Sequence, residues 1–528
     1  MQSRKSILAN QYSSFLKANP DLDDVLNNDR TVDEICCLNP EFTSYITREI
    51  VLKLIRYIIE EPLDPANTLQ ACKFPLVASE FFTNDLPCVS KILFKEPALM
   101  QYLLSFLTRD GPLNFLLAGY FQKAFESCYS YNPEEFLTIV FKESLHITML
   151  KHIKSSSIAD FTYLILTSKG DLDKKRELLA ETTKLIGSKN YMISFNSSGI
   201  LCRISKEEEI YQYLISKEIF EFILDYISSA DTWVVRNAGS VIKYILTSSG
   251  ESVIQYISKR IKHLADILCR ESEEKILMQF GVEVRCFGEH RLIILELFVL
   301  LCNFPTLVSE ISKEIKRIVL LLENYKWNSY FHHAFTVFIE ALLSSSAKEY
   351  IDELVNTDFP QILIDIATYN ILDCKKYSTT LGCTGHVYKM INSLVNSKID
   401  SISISMGDIN GWEIFKAKLD IYNDVEGKNV SGKSNINFFE NMSSEDSYEK
   451  AEENDLIPDY PYTKPITGKE LEELTDLFDI EDKKPQKNTF MSTKCITNAT
   501  LEELAANEYL DNVYWKINLG TCHLDELE

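Results

Sequence analysis

His332 and His333 stand side by side in "YFHHAF", and Cys383 precedes His386 by three positions in "LGCTGHVYKM". Two imidazoles could hold a transition metal, and a cysteine near a histidine could make an activated nucleophile. The surroundings favour plainer roles. Adjacent positions on a helix point about 100° apart, and no Cys or acidic residue stands at ligand spacing beside the His pair. An amphipathic helix whose His pair contacts a neighbour is the better reading there. Gly382 and Gly385 mark a helix start, which makes His386 a polar residue of a first turn. Glu207, Glu208 and Glu209 in "KEEEIYQYL" lack the apolar surroundings that raise a catalytic carboxyl, and read as a solvated helix face.

No HExxH, Walker A, GxGxxG, GxSxG or kinase signature occurs, and "FGVEVRCFGEH" does not match a phosphate-cradling loop. The residues therefore point to a chain that is not an enzyme and needs no metal or cofactor. The net charge of −23 would repel phosphate backbones and anionic membranes, which argues against nucleic acid as a partner. Thirteen Cys, scattered, with Cys36 and Cys37 adjacent and no CxxC, suit free thiols in a reducing compartment. "MQSRKSILANQYSSFLKAN" lacks a signal-peptide core, and "RLIILELFVLLCNF" from Arg291 is too short to span a bilayer and carries Glu296. A soluble intracellular protein with no membrane insertion is expected.

What would such residues be mounted on? From about Glu41 to Tyr422 the chain is a succession of helical patterns with short polar joints. "KFPLVASEFFTNDLPCVSKIL" from Lys73 reads as helix, polar corner, helix. Leu99, Tyr102, Leu103, Phe106 and Leu107 form one apolar helix face. The joints carry stop signals at "RDGP", "YNPEE" and "TSKGDLD"; in the first, Gly111 suits a left-handed cap and Pro112 a helix start. Helical hairpins of this kind bury their apolar faces only by stacking, which is the logic of an α-solenoid. No clean period of 34, 40 or 47 residues is present, so the repeats must be irregular. The stretch Cys269 to His290 reads as a loop with a short extended piece.

After about Lys428 the composition turns acidic and Ser/Asn-rich. Residues 433–528 hold 22 acidic and 9 basic side chains, more than half of the net charge in under a fifth of the chain. This is tail composition rather than core. Capping-box spacings at Thr467 and Thr500 predict two short helices near 467–480 and 500–511. The chain also holds 26 Tyr and 29 Phe, with five aromatic residues between Asn324 and Phe335. In a solenoid most of these are core, and those left exposed are interface hot-spot types.

The ordered blocks carry a resemblance. "FPLVASEFFTNDLPCVSKIL", "LMQYLLSFL" and "GPLNFLLAGYFQKAFES" resemble the SAPS-domain family, regulatory subunits of the protein phosphatase 6 type of Ser/Thr phosphatase. The matching pieces are the Ala78 to Glu80 helix, the Thr83 to Pro87 joint and the Pro112 to Asn114 helix start. "LKHIKSSSIADFTYLIL" (Leu150 to Leu166), "FGEHRLIILELFVLL" (Phe287 to Leu301), "WNSYFHHAF" (Trp327 to Phe335) and "LGCTGHVYKMINSLV" (Leu381 to Val395) are similar to later family helices. Between Gly170 and Arg270 the likeness is in helical character alone.

The resemblance implies an all-α, irregular armadillo/HEAT-like α-solenoid over residues 30–425. An N-terminal segment (1–29) would precede it and an acidic, mostly flexible tail (426–528) would follow. It implies a scaffold that binds the phosphatase catalytic subunit and directs it to substrates, with an ankyrin-repeat subunit as a further partner, in the cytoplasm and also the nucleus. A transport- or adaptor-type helical scaffold is the alternative. Regular importin repeats would place Trp and Asn at recurring positions, and the four Trp, at 233, 327, 412 and 515, do not recur in that way. Polar residues inside the matching helices, Glu80, Asn114, Arg291, Asn328, His332 and His386, together with Trp327, are the candidate partner-binding residues. Each could instead satisfy a carbonyl or a helix end within the stack.

Overall fold

Asparagine and aspartate side chains start many of the helices. The Asn114 Oδ1 accepts from the amides of Leu116 and Leu117, and the Asn190 Oδ1 from those of Met192 and Ile193. Asp171 and Asn328 do the same for Leu172–Leu185 and Ser329–Ser344. These caps satisfy amides that a helix start otherwise leaves open. At "RDGP", Gly111 takes φ +81°, the left-handed conformation expected of it. Pro112 does not open the next helix, which begins at Phe115, because the Asn114 cap sets the start there.

The computed structural model describes residues 11–62, 67, 69–82, 86–277, 283–345, 347–368 and 382–409, with 412–413, 415–417, 419–420 and 423 beyond them. The two helices expected near 467–480 and 500–511 lie outside the described residues. Within them the fold is all-α apart from one antiparallel hairpin, Lys275–Leu277 paired with Glu283–Arg285. That hairpin occupies the stretch read from sequence as a loop with an extended piece. Leu99, Leu103, Phe106 and Leu107 are buried on one face as their spacing requires, although the helix Pro97–Leu104 tightens to a 3₁₀ turn over Ser105–Thr108.

The helices stack in two rows. In the first, Phe74–Glu80, Phe115–Tyr131, Ser156–Thr167, Tyr191–Leu201, Thr232–Ile257, Glu289–Leu301, Ser329–Ser344 and Thr384–Asn396 each pack on the next. In the second, Ile261–Leu268, Val308–Val319, Lys348–Val355 and Asp400–Gly407 follow one another. A helix that meets only its neighbours in the stack is the defining feature of an α-solenoid. One buried apolar seam runs along it. Phe125 and Phe161 stack at 4.2 Å between two successive first-row helices, and fully burying such a ring stabilises by roughly 1.5–3 kcal/mol. At Gly239 the Thr232 and Glu289 helices approach so closely that an added Cβ would stand 2.8 Å from Ile293 Cγ2.

Polar cross-links give the register of the first row. Lys123 pairs with Glu80, Asn196 donates to the Ile153 carbonyl, Arg203 to Asp160 and Asn237 to Ser194 Oγ, every partner 43 residues back, and the same offset joins the 3₁₀ turns through Lys151 and the Thr108 carbonyl. Further along, Lys243 meets Glu296 and Ser393 meets Glu340 at a separation of 53. A constant offset means that successive first-row helices run parallel. Between the Thr232 and Glu289 helices the longer offset spans the joint that holds the hairpin, and between the Ser329 and Thr384 helices it spans the residues from 345 to 383.

Candidate partner-binding surface

Arg291 enters the core three residues into its helix and is only 3% exposed. Its Nη1 donates to the Arg270 carbonyl (2.7 Å) and to the Tyr325 hydroxyl (2.6 Å), and its Nη2 to the Cys286 carbonyl (2.7 Å). The guanidinium also lies 5.0 Å from the centre of the Phe287 ring and 5.2 Å from that of Tyr325. Among the described residues no carboxylate pairs with it, so the cation is held by carbonyl dipoles and aromatic faces. Arg291 thereby fixes both ends of the hairpin segment and the following joint.

His332 is fully buried one step further. Its Nε2 donates to the Tyr325 carbonyl (2.7 Å), so Nε2 carries the proton and Nδ1 is an acceptor, without a partner among the described residues. Burial pushes its pKa down to about 4. The Thr336 hydroxyl donates to the His332 carbonyl, so at its 3.3 Å contact with His386 the imidazole Nδ1 is the donor. Burial, then His333 and Lys389, hold the His386 pKa below its usual value. His333 is exposed, and its ring centre lies 6.2 Å from that of His386. Cys383 is buried, and burial pushes its thiol up to about 11, which removes it as a nucleophile at neutral pH. No group of three His, Cys, Asp or Glu among the described residues could hold a metal ion.

The remaining candidates sit nearer the surface. Glu80 pairs with Lys123 at 2.5 Å on the next first-row helix. Asn114, besides capping its helix, donates to Glu61 (3.2 Å). The Asn328 Oδ1 accepts from the Phe331 amide (2.9 Å). Trp327 is half-buried against Gly382, where an added Cβ would stand 3.3 Å from Cε3. Arg291, Trp327, Asn328, His332 and His386 therefore share one end of the stack, around the Ser329 helix, while Glu80 and Asn114 lie several helices away.

Several residues of the exposed first-row face were not singled out from sequence. Tyr330, beside Asn328, is 77% exposed. Tyr191 and Phe195 stack at 5.7 Å on the outside of their helix, and Arg236 of the next helix lies 5.5 Å over Phe195. Asn196 and Asn237 are buried and tie each helix to the one before it, the signal for them being an Asn within an apolar helical run.

Fold and surface together define a helical-repeat scaffold, with polar and aromatic groups along one row and no assembled reaction centre among the described residues. No family model matches the chain. It is similar to the serine/threonine-protein phosphatase 6 regulatory subunit 3 of Gallus gallus, 23% identical over 383 residues, covering 61% of this chain and 43% of that protein. It is equally similar to regulatory subunit 2 of Homo sapiens, at 23% identity over 62% of this chain and 40% of that protein. The extragenic suppressor of kinetochore protein 1 of Schizosaccharomyces pombe is 30% identical over 152 residues, 26% of this chain and 18% of that protein. The chain is thus similar to phosphatase 6 regulatory subunits, in keeping with the resemblance its motifs carry. It spans about two fifths of the length of the first two relatives. Among solved structures, a crystal structure of an engineered protein matches with a TM-score of 0.39 at 11% identity, over 77% of this chain and 94% of that one. That likeness is too distant to carry an argument.

Proposed function

We propose that this chain is a non-enzymatic regulatory scaffold that binds the catalytic subunit of a protein phosphatase 6-type Ser/Thr phosphatase and directs it to substrates. The observation that carries this reading is the likeness, over 383 residues, to proteins named as regulatory subunits of that phosphatase. The fold suits the task physically. A two-row stack presents a continuous surface, and a stable interface needs about 800 Å² per partner.

In this reading Trp327, Glu80 and His386 meet the partner, with Arg291, Asn114, Asn328 and His332 holding the helices that present them. An ankyrin-repeat subunit would bind elsewhere on the stack, and the complex would act in the cytoplasm and the nucleus. Affinity purification of the tagged chain, read by mass spectrometry, tests the proposal. A phosphatase catalytic subunit should dominate the eluate. Recovery of transport carriers or coat components with no phosphatase would favour the adaptor reading and overturn this one.

A further inference from the structure

We propose that the open edge of the Lys275–Leu277 strand is a docking site to which a partner adds an extended segment carrying two apolar residues next to two cations. A two-stranded hairpin alone is marginally stable in water and gains from a third strand. This one is tied to the stack at its base, where Arg291 holds the Arg270 and Cys286 carbonyls, and neither strand packs broadly on a helix. Neither Ile276 nor Leu277 belongs to the buried core.

Register decides which backbone groups are open. Lys275 faces Arg285, Ile276 faces Val284 and Leu277 faces Glu283. The Cys286 amide donates to the Glu274 carbonyl (2.9 Å), which makes Glu274 with Cys286 one hydrogen-bonded pair and Ile276 with Val284 the next. Lys275 and Leu277 therefore turn their amides and carbonyls outward, where they meet no other backbone group among the described residues. Glu283 and Arg285 do the same on the far edge, but both carry charged side chains, and charge on an edge hinders pairing. On the near edge the one charge, Lys275, leans across the ladder to Glu283 (3.7 Å). Glu273 to Leu277 are all exposed, Ile276 by 49% and Leu277 by 71%, whereas Val284, Arg285 and Cys286 are partly covered. The Lys275–Leu277 edge is the one within a partner's reach.

The side chains along that edge describe the occupant. Successive residues of a strand alternate between faces, so Ile276 shares one face with Glu274, Val284 and Cys286, and Leu277 shares the other with Lys275. Of the carboxylates here, Glu271 is held by Arg285 (3.0 Å) and Glu283 by Lys275, while Glu273 and Glu274 form no ion pair among the described residues. Arg270, the remaining cation of the segment, is near enough to His290 to help hold that pKa down. An added strand thus meets Ile276 and Leu277 and, two or three positions along, two open carboxylates. Apolar pairs and opposite charges across strands stabilise such pairing, and a chain of net charge −23 attracts a basic segment. A second copy of this chain fits less well, because a three-residue edge offers far less than the roughly 800 Å² that a stable interface needs on each side.

The test uses the purified full chain and a fluorescein-labelled peptide, Ser-Val-Ile-Thr-Arg-Arg-Ser, read by anisotropy. A second peptide has Glu in place of both Arg. Saturable binding of the basic peptide is expected, weakening as salt rises, with none of the acidic one. The basic peptide should also slow amide exchange at Lys275 and Leu277, read by mass spectrometry on the fragment that spans them, because their outward amides gain carbonyl partners. The double change Glu273→Lys with Glu274→Lys should weaken binding about ten-fold, and Ile276→Asp by about as much. These side chains are exposed, so the melting temperature should be unchanged in both variants. No phosphatase enters the assay, so the result is independent of that assignment. No saturable binding, equal binding of the acidic peptide, full affinity in the folded double variant, or binding without slower exchange in that strand would each overturn the proposal. So would a dimer of the chain that Ile276→Asp dissolves, since a second copy would then hold the edge.

Discussion

Replacing Arg291 by alanine should unfold the middle of the stack before it touches any partner. The substitution removes three hydrogen bonds and leaves the carbonyls of Arg270 and Cys286 without their donor. An unsatisfied buried acceptor costs about 1–3 kcal/mol, and the faces of Phe287 and Tyr325 lose a cation worth about 0.5–2 kcal/mol. Against this, the burial of a cation without a carboxylate is relieved. The net should be about 3–5 kcal/mol, the usual loss when a buried charged group is removed from its partners. In a unit this large that lowers the melting temperature by roughly 6–15 °C. Thermal unfolding by circular dichroism measures it, and amide exchange should show faster opening at Cys286, whose carbonyl is released. Tyr325→Phe, which deletes one bond and keeps the ring, should cost about 1–2 kcal/mol. A melting temperature within about 2 °C of wild type in Arg291→Ala would refute this reasoning. Were a phosphatase subunit lost at the same time, Arg291 would be an interface residue.

Other perturbations follow from the same contacts. The His332 pKa, 6.5 unperturbed, is about 4 when folded, so the unfolded chain takes the proton first as pH falls. The stability tied to neutral His332 is present above pH 6.5 and is lost as pH drops toward 4, about 3 kcal/mol in all; melting temperatures over that range should fall less steeply in His332→Gln. Asn237→Ala strands Ser194 from its cross-helix partner and should cost about 1–3 kcal/mol in urea unfolding. Gly239→Ala forces a methyl into Ile293 and should destabilise by about 1–3 kcal/mol, whereas Gly119→Ala, with nothing within 4 Å, should be neutral or stabilising.

Helix existence was legible because the apolar spacing at Leu99 to Leu107 and the Asn114 signal act locally, within one or two turns. The repeat was not. The 43-residue offset is recorded by single polar contacts such as Asn196 to Ile153 and Arg203 to Asp160, and different residue types occupy equivalent positions, so no letter recurs. The hairpin escaped a firm reading because Lys275–Leu277 and Glu283–Arg285 are three residues each, too short for alternation to show. The polar residues Arg291, Asn328 and His332 stood out by type, but their bonds run to carbonyls and amides of joints, and backbone groups leave no mark in a sequence. Tyr191 and Phe195 were hidden for the opposite reason. Exposed aromatics in an amphipathic helix read as core until the neighbouring helices are placed around them.

The most direct measurement is size-exclusion chromatography of the purified chain mixed with a purified phosphatase 6-type catalytic subunit, with phosphatase activity assayed in every fraction. Co-elution in one earlier peak is expected, with activity in that peak only when the catalytic subunit is present and none from this chain alone. Separate elution of the two folded proteins, at concentrations well above those at which regulatory subunits act, would contradict the assignment as a phosphatase regulatory scaffold.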